Sequence, residues 1–357
     1  MSSSAAGKGI AGMDAASTRD SSVLLDVRRL RTEFATRAEP VRVLDGLDFT
    51  LTNHHITGLV GESGSGKSVT AFSLLRLLRP PGNVVSGEVW FRGRDLMSLS
   101  EKQMTAIRGR EIGMIFQQPR ASLNPVFRVG DVLNHVLRLH RGMKGDAVRR
   151  EAFRIFQEVG LPDPARILRS YPHELSGGMC QRVMIAQVLA GQPKLLIADE
   201  PTTALDVTIQ MQIVHLLRSI RDRLGLTQLL ITHDLGLVGE MCDDVLVMYA
   251  GEIVERAPVV DLFDQPSHPY TRGLLASRAN RKDRDRLYSI PGTVPSLVAP
   301  PTGCRFHPRC PYARQICSDV APAPEHVSAN HWVRCHFWKD VVRDPTSAGR
   351  DTVAARG

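Results

Sequence analysis

The stretch "ITGLVGESGSGKSVTAFSLLRLLRP" constrains the fold more than any other part of this 357-residue chain. "ITGLV" reads as a short buried strand. Gly61 to Ser68 then fit G-x-x-x-x-G-K-[ST], and the apolar residues that follow recur at helical spacing until Pro80–Pro81. A strand, a glycine-rich turn and a helix in that order form half of a βαβ unit. The glycines let the backbone N–H groups face phosphate oxygens, and Lys67 adds a point charge for the β- and γ-phosphates. The Ser68 hydroxyl suits Mg²⁺, and the helix start favours the same anion. Gly61, Ser63, Gly64, Gly66, Lys67, Ser68 and Val69 are therefore the expected nucleotide-binding residues. A plain turn with an exposed lysine would not need the flanking strand and helix.

The other patterns extend this unit. "LLDVRRLRTEF", "VRVLDGLDFTL", "SGEVWFRG" and "EIGMIF" read as strands. "KLLIAD" and "TQLLIT" are apolar throughout, as parallel strands covered on both faces must be. "DDVLVMYAGEIVER" reads as a hairpin turning at Ala250–Gly251. From about Gly130 to Gly191 the period is helical, and "TIQMQIVHLLRSIRDRLG" is a long amphipathic helix. The expected fold is an α/β P-loop core with an antiparallel β subdomain, a helical insertion and a C-terminal extension. The expected divisions are a leader over 1–23, a nucleotide-binding domain over 24–265 with a helical subdomain at about 118–190, an extension over 266–345 and a disordered tail over 346–357. Prolines become dense after about Gln265 and the periodic patterns weaken.

Two strand ends carry the chemistry. "LLIADE" ends in Asp199 and Glu200, and ligands of open α/β sheets bind beyond such ends. Asp199 is placed to hold Mg²⁺, directly or through water, and Glu200 to polarise an attacking water. "LLITHD" puts His233 at the next strand end, suited to the γ-phosphate or to that water. Phosphoryl transfer asks mainly for positioning and charge neutralisation, so this set is sufficient.

Composition sets the limits. A 43% hydrophobic content is ordinary for a globular chain, and aromatics at 5% argue against base-stacking surfaces. No apolar run reaches about 18 residues, the length that suggests a membrane span, and the first residues lack the core of a signal peptide. The expected setting is therefore cytosolic. The net charge of +8 is dispersed, and the richest stretch, 278–286, mixes both signs like a linker.

"ELSGGMCQRVMIA" decides the family. With the phosphate loop, "FQQP", "LLIADEPTTALD" and "ITHD", it resembles the ATP-binding subunit of an ATP-binding cassette (ABC) transporter. The resemblance implies that Ser176, Gly177 and Gly178 form a signature loop that closes over ATP held by a partner subunit. It implies that Gln117 links the Mg²⁺ site to a transmembrane partner and that Asp206 lies in a loop crossing between subunits. Phe34 is the candidate adenine-stacking ring. "MIFQQPRASLNPVFRVGD", "HPYTRGLLAS" and "IPGTVPSL" are similar to the oligopeptide/dipeptide, or nickel, importer branch. That implies two ATPase subunits, usually different, two permeases, an extracytoplasmic binding protein, and a place on the cytoplasmic face of the plasma membrane. A nickel or other small-solute importer stays open as an alternative. Translation ATPases usually carry two cassettes and repair ATPases long coiled coils, so these nucleic-acid classes fit poorly. In the family Arg or Lys usually follows "LSGGM", where Cys180 stands here, and the turn before the phosphate-loop strand usually carries Gly-Glu, where "NHHITGLV" stands.

Four of the six cysteines, Cys304, Cys310, Cys317 and Cys335, fall late in the chain at C-x5-C-x6-C-x17-C spacing. Disulfides are not expected in a reducing compartment. The spacing lacks the short knuckle of most zinc sites, and four thiolates suit zinc or an iron–sulfur cluster. The branch resemblance implies a 4Fe-4S cluster; zinc, with His307, His331 and His336 as further ligands, and no metal are the alternatives. Cys180 and Cys242 sit on helical patterns and are expected in the core. The expected role of the extension is a tail without a core of its own, pinned by its metal and remote from ATP, with Phe306, Trp332, Phe337 and Trp338 shielding the site. Redox regulation of the ATPase is the less favoured reading.

Overall fold

The computed structural model describes residues 22–203, 205–279 and 289–344, without the side chains of 278 and 279. The leader up to residue 21, the tail over 346–357 and residues 280–286 of the mixed-charge stretch lie outside the described residues.

Two sheets form the frame. The strands are β1 (Val23–Phe34), β2 (Val41–Thr52), β3 (Ile56–Val60), β4 (Gly82–Phe91), β5 (Arg94–Asp95), β6 (Ile112–Ile115), β7 (Leu195–Asp199), β8 (Thr227–Thr232), β9 (Asp244–Tyr249), β10 (Glu252–Pro258), β11 (Glu325–Ser328) and β12 (His331–Val333). The smaller sheet runs β2-β1-β4-β5 and is antiparallel. The larger runs β11-β12-β10-β9-β3-β8-β7-β6, parallel from β9 to β6 and antiparallel on the other side.

Every residue of β3, β7 and β8 is buried. Successive side chains on a strand face opposite sides. In β7, Leu196 and Ala198 accordingly join the helical core, whereas Leu195 and Ile197 join the core beneath the antiparallel sheet. The parallel strands are thus covered by helices on one face and by β1, β2 and β4 on the other. The helical insertion comprises Pro119–Ser122, Val129–Arg141, Asp146–Glu158, Pro164–Ile167 and Gly177–Ala190. The Ala250–Gly251 hairpin is also as expected, with φ of 44° and 87° between β9 and β10.

Two expectations are corrected. The phosphate-loop helix spans Lys67–Leu74 and ends well before Pro80. Arg76 takes a left-handed φ of 52°, and Leu77 N–H donates to Phe72 O at 2.8 Å, the six-to-one bond of a Schellman ending. The Arg76 guanidinium donates to the carbonyls of Leu96 and Leu99, which hold the chain in that turn. The apolar period runs on because Leu75 is buried outside the helix.

The extension is also no coreless tail. β12 pairs with β10, opposite Glu255 and Arg256, and β11 adds a further strand. Glu255 is fully buried and accepts from Ser267 N–H at 2.7 Å and His268 N–H at 3.0 Å; His331 Nε2 lies 2.8 Å from it. Phe306 packs with Tyr249, Tyr270 and His268, with ring centroids 5.1 to 5.7 Å away. The alternation of short strands and loops hid this packing, because its partners lie in the main domain and not in the extension.

Candidate functional site

The ends of β3, β6, β7 and β8 share one edge of the sheet, because Val60 pairs with Thr232, Asp199 with Ile231 and Ile115 with Ala198. The register therefore delivers the phosphate loop, Gln117, Asp199, Glu200 and His233 to the same side. Gly61 is tight against the neighbouring strand: a Cβ there would stand 2.1 Å from Met248 O. Gly64 and Gly66 have φ of 81° and 107°, which only glycine adopts readily.

Lys67 is nearly buried, and its Nζ donates to Gly61 O at 2.7 Å and Glu62 O at 3.0 Å. Burial lowers its pKa, while Glu200, Asp199 and Glu62 oppose that shift. Ser68 Oγ donates to Asp199 Oδ1 at 3.1 Å. Burial raises the Asp199 pKa, against the Ser68 hydrogen bond and with the help of the Glu200 charge. Both shifts express one fact: the site places ionisable groups in low dielectric, where a bound ion of opposite charge is favoured.

Glu200 follows β7 with a left-handed φ of 48°. Its Oε1 lies 2.8 Å from His233 Nδ1, and its Oε2 accepts from Thr203 Oγ1 at 2.9 Å. The carboxylate is thereby fixed at both oxygens, while the His233 side chain stays 67% exposed. Gln117 is exposed just beyond β6. Phe34 ends β1, and its half-buried ring lies on Gly82, where a Cβ would meet Cε1 at 2.6 Å.

A second group gathers at two helix starts. Ser176 is exposed and caps the helix Gly177–Ala190, accepting from Met179 N–H at 3.3 Å. Asp206 caps the helix Val207–Leu224 through Ile209 N–H at 3.0 Å. The two turns touch: a Cβ on Gly178 would meet Ile209 Cγ2 at 2.8 Å. Cys180 lies under this turn, fully buried, with Sγ 3.5 Å from Pro172 O, and Cys242 is likewise in the core.

The four late cysteines line one apolar pocket with His268, Phe306, His307, Tyr312, His336 and Phe337. Burial pushes Cys304 up to about 11 and Cys310 and Cys335 up to about 12. Backbone N–H groups oppose this, those of Phe306 and His307 at Cys304, of Tyr312 at Cys310, and of Phe337 at Cys335, the last at 3.4 Å. Among the described residues, no group of three or more His, Cys, Asp or Glu side chains is arranged to hold a metal ion. His331 is engaged with Glu255, so it is not a zinc ligand here. Nor do Trp332 and Trp338 shield the pocket: Trp332 packs on the core under the antiparallel sheet, and Trp338 Nε1 donates to Glu325 at 2.9 Å.

The ABC transporter family model matches residues 44–203, and that of the oligopeptide/dipeptide transporter C-terminal region matches 254–317. The chain is 48% identical to the "Probable peptide ABC transporter ATP-binding protein y4tR" of Sinorhizobium fredii, over 90% of this chain and 96% of the relative. It is 43% identical to the "Dipeptide transport ATP-binding protein DppD" of Escherichia coli, over 90% and 99%. The chain belongs to the peptide-import type of ABC transporter ATP-binding subunits. A dimeric structure of MJ0796, a bacterial ABC transporter cassette, superposes with a TM-score of 0.60 at 26% identity, over 66% of this chain and 98% of that one.

Such ABC subunits hydrolyse ATP and work with transmembrane permeases. No helix among the described residues is long and apolar enough to cross a membrane. Sequence reasoning missed three groups at this ABC site. Thr203 stands in the quoted "EPTTALD" but has no motif role by itself. Tyr270 donates nothing to the periodic patterns, yet its hydroxyl accepts from Glu62 N–H at 2.7 Å. Arg309, between two cysteines, pairs with the Glu62 carboxylate at 2.7 Å. No local signal marks either contact, since 208 and 247 residues separate the partners.

Proposed function

We propose that this chain is the ATP-hydrolysing subunit of an importer that energises the uptake of di- or oligopeptides. It pairs with a second, homologous ATPase subunit and sits on two permeases at the cytoplasmic face of the membrane, supplied by an extracytoplasmic binding protein. The observation that carries the reading is the fixed Lys67–Ser68–Asp199–Glu200–His233 edge together with an oligopeptide-type extension on one chain. The phosphate loop, with Gly61, Ser63, Gly64, Gly66 and Val69, cradles the phosphates of ATP, and Phe34 stacks on adenine. Ser68, Asp199 and Gln117 would hold Mg²⁺, which neutralises phosphate charge. Glu200, held by Thr203 and His233, takes the proton of the attacking water. Ser176, Gly177 and Gly178, displayed beside Asp206, complete the site of the partner subunit.

We infer an iron–sulfur cluster at the four-cysteine pocket, with zinc as its alternative, from the donor chemistry alone, since the side chains are not arranged around a metal here. Four sulfurs on one apolar wall and backbone N–H groups aimed at three of them are the donor set such a cluster uses. When bound, the cluster would cross-link the loops of the extension through Cys304, Cys310, Cys317 and Cys335.

The transport reading is tested by purifying the chain with its neighbouring subunits and reconstituting them in vesicles. A peptide-loaded binding protein should accelerate ATP hydrolysis and fill the lumen with labelled dipeptide. Acceleration by nickel and not by peptide would change the cargo, and co-purification without a permease would overturn transport. For the pocket, iron and sulfide analysis with visible absorption is decisive. Cys317→Ser should bleach the absorbance; zinc without iron, or neither, would overturn the cluster.

A further inference from the structure

The extension reaches the phosphate loop through one side chain. Arg309 stands next to Cys310, at the end of the short turn His307–Arg309. Its guanidinium holds both carboxylate oxygens of Glu62, at 2.7 Å and 3.1 Å, and Glu62 is the second residue of the loop. It is not a loose surface pair, since the Arg309 side chain is only 6% exposed. Arg309 also donates to Pro291 O at 2.8 Å, to Ile290 O at 3.2 Å and to Tyr249 Oη at 3.3 Å. Its central carbon lies 5.8 Å from the Tyr249 ring centroid and 5.9 Å from that of Phe306. All of this fixes the guanidinium before any ligand arrives. A guanidinium stays protonated at any pH a protein meets, so the positive charge is permanent.

Glu62 needs such a partner for two reasons. Its carbonyl accepts from Lys67 Nζ, so a shift of Glu62 disturbs the lysine that meets phosphate. Its carboxylate is also a negative charge on a loop built to receive a polyanion, and like charges in a partly desolvated site repel strongly. Tyr270, packed on the same Tyr249 and Phe306 rings, accepts from the Glu62 N–H at 2.7 Å. Ser65 O accepts from Gly251 N–H at 2.8 Å, which anchors the middle of the loop to the β9–β10 turn.

We propose that Arg309 is a positioning residue of the ATP site, carried by the extension, which neutralises Glu62 and holds the phosphate loop in its binding shape. The role stands whatever the cysteines hold. The extension is thereby part of the nucleotide site, and it separates this chain from a cassette that ends after β10, which has no such group to offer.

The test measures the affinity of the full chain for a fluorescent ATP analogue, with thermal unfolding recorded on the same samples. Arg309→Ala should weaken binding about tenfold, the scale of a lost bidentate charge pair. Arg309→Lys should recover part of it by restoring charge without the fork. The double variant Glu62→Gln with Arg309→Ala should bind better than Arg309→Ala alone, because the uncompensated carboxylate is gone. Arg314→Ala, which removes an exposed pair with Asp340 in the same extension, should leave affinity unchanged. Affinity of Arg309→Ala within twofold of the parent would overturn the proposal. So would a double variant no better than Arg309→Ala, since a purely structural tie would not be relieved by removing the Glu62 charge. If Arg309→Ala proves too unstable to assay, Arg309→Lys and Glu62→Gln carry the same comparison, and equal affinity in both and in the parent would sink it.

Discussion

The tips of the parallel strands and the cysteine-bearing extension both hold functional groups around the phosphate loop, but by different means. At the tips, backbone register does the placing: once Val60 pairs with Thr232 and Asp199 with Ile231, the carboxylates and His233 arrive at one edge. In the extension, side chains do it. Glu255 with His331, Arg305 with Asp45 and Glu252, and Arg309 with Glu62 tie loops to the cassette across long sequence separations. The difference teaches that register is robust to single substitutions, whereas buried charge is not. A strand loses one hydrogen bond among many, but a buried ion left without its partner costs several kcal/mol.

Glu255→Ala tests the weaker of these two designs most severely. It strips the acceptor from Ser267 N–H, His268 N–H and His331 at once and should cost about 3–5 kcal/mol in denaturant unfolding. A loss under about 1 kcal/mol would mean that the extension is held by register after all. At the strand tips, Glu200→Gln should leave the fold and ATP binding intact and lower steady-state hydrolysis on the order of 10²–10³-fold. Near-parental turnover would remove the carboxylate from the role of base.

Acid should separate the two regions. Burial drives the pKa of His268 down to about 3, and its Nδ1 accepts from Tyr270 N–H at 3.0 Å. A depressed folded pKa gives stability that is present above the unfolded value near 6.5 and lost as pH falls toward 3. The loss should reach ~1.4 kcal/mol per pH unit, and His268→Gln should flatten that slope. An unchanged slope would place acid sensitivity elsewhere. Asp206→Ala should cost about 1 kcal/mol by removing a helix cap, with the effect confined to Val207–Leu224 in hydrogen exchange. Arg314→Ala, which removes an exposed pair with Asp340 and a guanidinium 4.0 Å over the Phe337 ring, should cost no more than about 1 kcal/mol. A larger loss would show that even the outer charges of the extension are structural.

These contrasts follow how much could be read in advance. Gly61 to Ser68, Asp199, Glu200 and His233 were legible because each follows a short apolar strand, and the ends of such strands have one possible use in a parallel sheet. The insertion was legible from its helical period. The end of the phosphate-loop helix was not, because a buried Leu75 outside the helix looks like one inside it. The convergence of the four cysteines on one pocket agrees with their spacing in the chain, but their depth and their aromatic neighbours do not follow from spacing. Trp332 and Trp338, near in sequence, turn to other partners.

By itself the sequence determined the parallel core, the order of its motifs and which side chains stand at the strand ends, because period and local turn chemistry act over a few residues. Only the tertiary structure decided that Glu200 is clasped by Thr203 and His233, that β12 extends the main sheet, and that Arg309 closes on Glu62. Those contacts join residues far apart in the chain through charge and shape, and no local pattern records which distant surface a buried guanidinium will find.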